Sequence, residues 1–114
     1  MKMQVAEIAK AVQAVNAEQA WPDVNVTGVA FDSRKLQAGD LFIPLMGAND
    51  GHQYIQSAIE HGAVATLWAS DHADDVPEDL PVIMVADTLT ALQQLGQYYL
   101  QKINPKVVAV TGSN

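Results

Sequence analysis

Residues 53–103 read QYIQSAIEHGAVATLWASDHADDVPEDLPVIMVADTLTALQQLGQYYLQKI, and two periodicities alternate along them. Over 53–61, Tyr54, Ile55, Ala58 and Ile59 recur at helical spacing, and Gly62 is a natural helix stop. AVATLW at 63–68 and PVIMVA at 81–86 are short continuous apolar runs, which predict buried strands. Between them, SDHADDVPEDL at 70–80 reads as an acidic surface loop. Asp87 or Thr88 is placed to cap a helix over 89–103 by accepting from a free amide of its first turn. The apolar face of that helix is Leu89, Leu92, Leu95, Tyr99 and Ile103, and Asn104-Pro105 ends it. Helix and strand in alternation predict the α/β class, with a small sheet flanked by helices.

Upstream the same alternation continues. Residues 3–16 (MQVAEIAKAVQAVN) carry Val5, Ile8, Ala9, Val12 and Val15 at helical spacing, and Trp21-Pro22-Asp23 closes that region. Residues 24–31 (VNVTGVAF) have strand character, with Gly28 shifting the phase as a bulge would. DSRKLQAGD is a polar turn. LFIPL at 41–45 is a short strand whose Pro44 marks an edge or a strand end. MGANDGH at 46–52 reads as a loop. Downstream, VVAVT at 107–111 is a further buried strand that runs straight into Gly112-Ser113-Asn114. No internal repeat or low-complexity tract interrupts the pattern.

The composition narrows the function classes. A chain of 114 residues, 49% hydrophobic and 17% charged, is that of one globular core. The net charge of -7 opposes binding to nucleic acid by bulk electrostatics, although local backbone amides can still hold a small anion. No cysteine is present, which removes disulfide and thiol chemistry. Lys2, Glu7, Lys10 and Glu18 break up any signal-peptide core, and no run of about 18 apolar residues is long enough to insert in a membrane. A cytoplasmic location is the expectation.

Three features could carry chemistry. A buried strand running into a glycine turn, as at 107–114, is the opening half of a phosphate-binding loop, where glycine lets backbone amides approach phosphate oxygens. An ordinary strand-to-turn ending fits the same residues. The loops after two strands, at Asp32–Lys35 and Gly47–Asn49, can line one crevice, the usual ligand position in open α/β sheets. Ser33 offers a hydroxyl, Asn49 an amide and Arg34 a planar cationic fork. Two plain polar turns, with Asp32 or Ser33 bonding its own backbone, fit the same residues and are the simpler reading of them. Asp71, His72, Asp74 and Asp75 suggest metal ligands only superficially, since nothing near them supplies further ligands at fixed spacing. His52 and His61 belong to no recognisable triad, so neither a metal site nor a catalytic residue is expected.

FDSRKLQAGDLFIPLMGANDGHQYI at 31–55, followed at a distance by VVAVTGSN, resembles the start of a Mur ligase. These are ATP-dependent ligases that build the peptide of the peptidoglycan precursor. The similarity rests on EIAKAV at Glu7–Val12, on Asp32-Ser33-Arg34-Lys35 followed by Gly39-Asp40-Leu41-Phe42, and on Gly47 through Gly51-His52. It implies a UDP-substrate-binding domain over 1–104. Residues 105–114 would be a linker and the first strand of a central ATPase domain, with a C-terminal domain beyond. It implies Phe31, Ser33, Gly47, Ala48 and Asn49 as contacts to the uridine diphosphate end of a UDP-N-acetylmuramoyl-peptide substrate. Asp32 and Arg34 would shape the loop. Thr111, Gly112, Ser113 and Asn114 would be the first half of the ATP loop.

The resemblance also implies a reaction, in which ATP with Mg2+ phosphorylates a carboxylate and an amine attacks the acyl phosphate. Nothing in residues 1–106 needs to perform those steps, so this chain alone is expected to be inactive, to need no cofactor, and to bind the UDP end weakly or not at all. FIPL at 42–45 and the opening helix favour the branch of the family that adds D-alanyl-D-alanine. The sister branch, which adds the third peptide residue, stays open, as does a free-standing α/β binding module.

Overall fold

The computed structural model describes residues 2–45 and 51–103. In chain order the elements are β1 (Met3–Gln4), α1 (Val5–Ala11), β2 (Asn25–Val26), β3 (Gly28–Ala30), β4 (Asp40–Phe42), α2 (Ile55–Glu60), β5 (Ala65–Ala69), β6 (Val82–Val85) and α3 (Thr88–Ile103). A short 3-10 turn at Gly51–Tyr54 leads into α2, and another follows β5 at Ser70–Asp75. Strands β3, β4, β5 and β6 form one sheet in that order, and every pairing is parallel. Strands β1 and β2 make a separate antiparallel ladder.

The strands sort their side chains by the two-residue period of extended chain. Leu41 and Ile43, Ala65 and Leu67, and Ile83 and Val85 face one way, into a core with Val5, Ile8 and Ala9 of α1 and Ala91 and Leu95 of α3. Phe42 and Trp68 face the other way, against Leu36 and against Ile55 and Ala58 of α2. Helices therefore cover both faces of the sheet, the α/β arrangement expected. Burial on both faces explains why the strands read as unbroken apolar runs. Trp68, Phe42, Leu41 and Leu67 are fully buried, and each contributes roughly 1.5–3 kcal/mol by leaving water. Buried Thr66 keeps its hydroxyl within 3.0 Å of the Phe42 carbonyl and 2.8 Å of the Leu67 carbonyl.

Three expectations change, and the two alternatives for Pro44 reduce to one. The first helix does not run over 3–16, because Met3 and Gln4 are extended and pair with Val26 and Asn25. It ends at Ala11, and Gln13 then adopts a left-handed φ of 54°. That turn redirects the chain, so Ala14 is buried while Val15 is 71% exposed. The strand expected over 24–31 is split between two sheets, with Thr27 between β2 and β3. Pro44 marks a strand end and not an edge, since β4 lies inside the sheet and stops at Phe42. In α3 the buried stripe is Thr88, Ala91 and Leu95, while Leu89 is 52% exposed. Asp87 is the cap that sets this phase, accepting from the Thr90 amide at 3.0 Å.

The loop at 46–50 and the strand at 107–111 lie outside the described residues. Among the described residues, no helix is long and apolar enough to cross a membrane.

Candidate functional site

In a parallel sheet the loops that follow neighbouring strands emerge at one end. The loop after β3 and the segment after β4 therefore sit side by side, at the carboxyl ends of their strands. Phe31, Asp32, Ser33 and Arg34 from the first, Leu45 from the second, and Tyr54 and Ser57 at the start of α2 line a cleft of about 760 Å³.

The first loop is held by its own side chains. Asp32 Oδ1 accepts from the Arg34 amide at 3.0 Å. The same carboxylate takes the Arg34 guanidinium through two contacts of 3.2 Å, one to Nε and one to Nη2. The Arg34 guanidinium, and then its amide, hold the Asp32 carboxyl below the usual range, and Asp32 in turn raises Arg34. The Arg34 side chain is 84% exposed, so the pair sets loop shape more than it adds stability. Leu36 then turns inward and is buried against Phe42 and Trp68, which fastens the loop to the core.

The next part of the motif, Gly39-Asp40, is also structural. Gly39 has φ +95°, a conformation that L side chains rarely adopt. Asp40 Oδ2 accepts from the Gln37 amide at 3.0 Å. A Cβ on Gly28 would stand 2.5 Å from Asp40 Oδ1, so glycine at 28 makes room for that carboxylate.

Of the residues expected to contact ligand, Phe31 and Ser33 reach the cleft. Phe31 is 61% exposed, whereas Ser33 lines the wall at only 5% exposure. Gly47, Ala48 and Asn49 lie outside the described residues, as do Thr111, Gly112, Ser113 and Asn114. Asp32 and Arg34 bond to each other, the loop-shaping role expected for them. Of the histidines, His61 places Nδ1 2.7 Å from the Ser57 carbonyl at the end of α2. The His72 carbonyl accepts from the Trp68 indole at 2.8 Å.

The sequence reading missed Leu45, Tyr54 and Ser57. Helical spacing places Tyr54 on an apolar face with Ile55, Ala58 and Ile59, yet it is 43% exposed and stands on the cleft wall. Its spacing from Ser57, one helical turn apart and next to the glycine-rich loop, was the available signal.

Residues 25–99 match the family described as "Mur ligase family, catalytic domain". The UDP-N-acetylmuramoyl-tripeptide--D-alanyl-D-alanine ligase of Bacillus subtilis (strain 168) is 44% identical over the whole of this chain, which covers 25% of that protein. The UDP-N-acetylmuramoyl-L-alanyl-D-glutamate--2,6-diaminopimelate ligase of Syntrophomonas wolfei subsp. wolfei is 39% identical over 81% of this chain and 19% of its own length. A crystal structure of MurF from Acinetobacter baumannii superposes with a TM-score of 0.73 at 25% identity, over 90% of this chain and 22% of that one. The chain thus spans about a quarter of the length of the curated relatives it matches most fully. A family match over well more than half of its residues, joined to that fold likeness, shows that the chain belongs to the Mur ligase family.

Proposed function

We propose that this chain is the UDP-substrate-binding part of an ATP-dependent ligase that joins D-alanyl-D-alanine to UDP-N-acetylmuramoyl-tripeptide in peptidoglycan precursor synthesis, in the cytoplasm. The observation that carries the reading is the cleft itself. The motif residues Phe31 to Arg34 line it together with the end of the β4 segment, at the strand ends where α/β sheets take ligands. The 44% identity to the D-alanyl-D-alanine ligase of Bacillus subtilis supports that branch. The 39% identity to a diaminopimelate ligase keeps the sister activity as the second reading.

On this reading residues 1–104 bind substrate and residues 105–114 lead into a central ATPase domain. Phe31 and Ser33 contact the uridine diphosphate end, and Gly47, Ala48 and Asn49 complete the site from the second loop. Thr111–Asn114 open the ATP loop, and the Mg2+ ligands and the reacting groups belong to later domains. This part anchors the remote nucleotide so that the far carboxylate is positioned for phosphorylation and amide formation. It does no chemistry by itself.

Calorimetry and NMR titration with UDP test the reading. Binding is expected to be weak, in roughly the millimolar range, or undetectable, because the substrate's other contacts belong to the rest of the enzyme. Nanomolar binding contradicts the weak-anchor role. Unchanged KM for the UDP-linked substrate in a full-length ligase carrying Phe31→Ala and Ser33→Ala contradicts the binding role itself.

A further inference from the structure

A helix on the surface of a globular domain normally carries charged residues on its outward side. Helix α3 does not. Its inward side packs Ala91 and Leu95, with the partly buried Leu92 and Tyr99, on the core. On the outward side Leu89 is 52% exposed and Leu100 47%, with Gln93, Gly96 and Gln97 exposed between them. Leu89, Gln93, Gly96 and Leu100 follow at steps of four, three and four residues, which sets them in one stripe along the helix. Lys102 is the one charged residue of α3, and it bonds to Glu7 of α1. Neither leucine lines the cleft that accounts for the exposed Phe31 and Tyr54.

The chemistry of the stripe narrows what can cover it. It has no basic residue, so neither a phosphate backbone nor an anionic lipid surface would be held there. Leucine mixed with glutamine matches the half-polar character of interfaces between domains of one chain. Gly96 leaves a notch, since a Cβ there would meet nothing within 4 Å, so a facing side chain can come close to the helix backbone. Position in the chain points the same way. Helix α3 ends at Ile103, and the Bacillus subtilis relative is about four times as long as the stretch matched here. On the reading given above, residues 105–114 lead into the ATPase domain. A domain that starts within two or three residues of the helix end is held within about 10 Å of it. The helix is about 24 Å long, and a domain about 30 Å across can lie along all of it.

We propose that the outward face of α3, formed by Leu89, Gln93, Gly96 and Leu100, is the surface on which the ATPase domain of the same chain docks. This rests on the proposed function, which places that domain next in the chain, and it extends the role of this part from holding substrate to placing a domain. The docked face is uncharged and partly apolar, and one of its side chains fills the notch at Gly96. Helix α3 then acts as a rigid strut between the nucleotide anchor and the ATP site, and so sets the distance that the substrate must span.

The test uses a full-length ligase that contains this sequence. Leu89→Cys, Leu100→Cys and, as a reference in the exposed acidic loop, Glu78→Cys are made separately and labelled with a thiol reagent. This chain has no cysteine of its own, and mass spectrometry assigns each label to its peptide. Positions 89 and 100 are expected to label about tenfold or more slowly than position 78, as for a face that is docked most of the time. Hydrogen exchange over 89–101 needs no variant, and is expected to be slower in the unaltered ligase than in this chain alone. Exchange that is equally fast in both overturns the proposal, whatever the cysteine variants show. Protection that fades on dilution assigns the stripe to a second copy and overturns it as well. The UDP reading is judged separately, by the KM of the Phe31 and Ser33 variants, so an undocked α3 with a raised KM in those variants would sink the docking surface and leave substrate binding standing.

Discussion

Tyr98 donates its hydroxyl to Glu7 Oε2 at 2.7 Å, tying α3 to α1 across 91 residues of sequence. Lys102 reaches the same oxygen at 2.8 Å. Hydrogen bonds from Lys102 first and Tyr98 second hold the Glu7 carboxyl below its ordinary range, against a smaller opposing effect of burial. A carboxyl with a depressed folded pKa adds stability that is fully present above its unfolded value and is lost as pH falls through the folded one. Tyr98→Phe and Glu7→Gln are each expected to cost about 1 kcal/mol at neutral pH, discounted for a site that is partly exposed. The two losses should not simply add, since Tyr98 and Lys102 meet on the same Glu7 oxygen. Urea titrations from pH 7 downward check this. The gap between the unaltered chain and Glu7→Gln should close only below the usual glutamate range, and a gap that stays constant with pH would show that the carboxylate charge is irrelevant.

Two glycines should respond in opposite directions to the same change. Gly62 has φ +107°, and a Cβ there would stand 2.6 Å from the Ala38 Cα, a backbone atom that cannot swing aside. Gly62→Ala therefore adds left-handed strain to a clash and is expected to cost more than about 2 kcal/mol. Gly96 lies within α3, and a Cβ there meets nothing within 4 Å. Gly96→Ala is expected to stabilise by about 0.5–1 kcal/mol, from helix propensity alone. Thermal unfolding of the pair should move the midpoint down for the first and up for the second.

The strands β5 and β6 were legible in the sequence because burial on both faces removes the polar residues that blur other segments. The cap at Asp87 was legible because it is local chemistry. Met3–Gln4 was not legible as a strand, since its extension depends on a partner more than twenty residues away. The left-handed turn at Gln13 has no residue signal, because glutamine rarely takes that conformation. Leu89 lies off the buried stripe of α3, although Leu92, Leu95 and Tyr99 of the expected face do pack on the core. At the site, the Asp32–Arg34 loop was readable from turn chemistry. Tyr54 was not, because an aromatic within an apolar stripe reads as core, and only the three-dimensional cleft shows its ring facing outward.

Among the described residues, the outer edge of β6 is covered by the Asn16 side chain and not by a strand. Asn16 donates to the Val82 carbonyl at 3.0 Å and accepts from the Met84 amide at 3.0 Å, and the Val15 amide reaches the Met84 carbonyl at 2.7 Å. An uncovered strand edge is a template for pairing with another chain. Asn16→Ala is expected to cost about 1–3 kcal/mol, because it strands a donor and an acceptor together. It should also raise self-association, measurable by sedimentation velocity at increasing concentration. Loss of stability without association would leave the hydrogen bonds important and the edge harmless.

The Asp32–Arg34 pair gives the sharpest separation of loop shape from ligand contact. Arg34→Lys keeps the charge but cannot make the two-point contact to one carboxylate, so the loop should loosen while the core stays intact. Asp32→Asn removes the charge but keeps an oxygen able to accept from the Arg34 amide. If the pair only shapes the loop, Asp32→Asn should lower UDP affinity less than Arg34→Lys, with both changes a few-fold in size and the thermal midpoint unmoved. Direct bonding of Arg34 to the diphosphate gives another result, since removing the competing Asp32 charge would then tighten UDP binding. NMR titration of the two variants with UDP and with uridine separates the cases, because a gain seen with UDP and absent with uridine can come only from the phosphates.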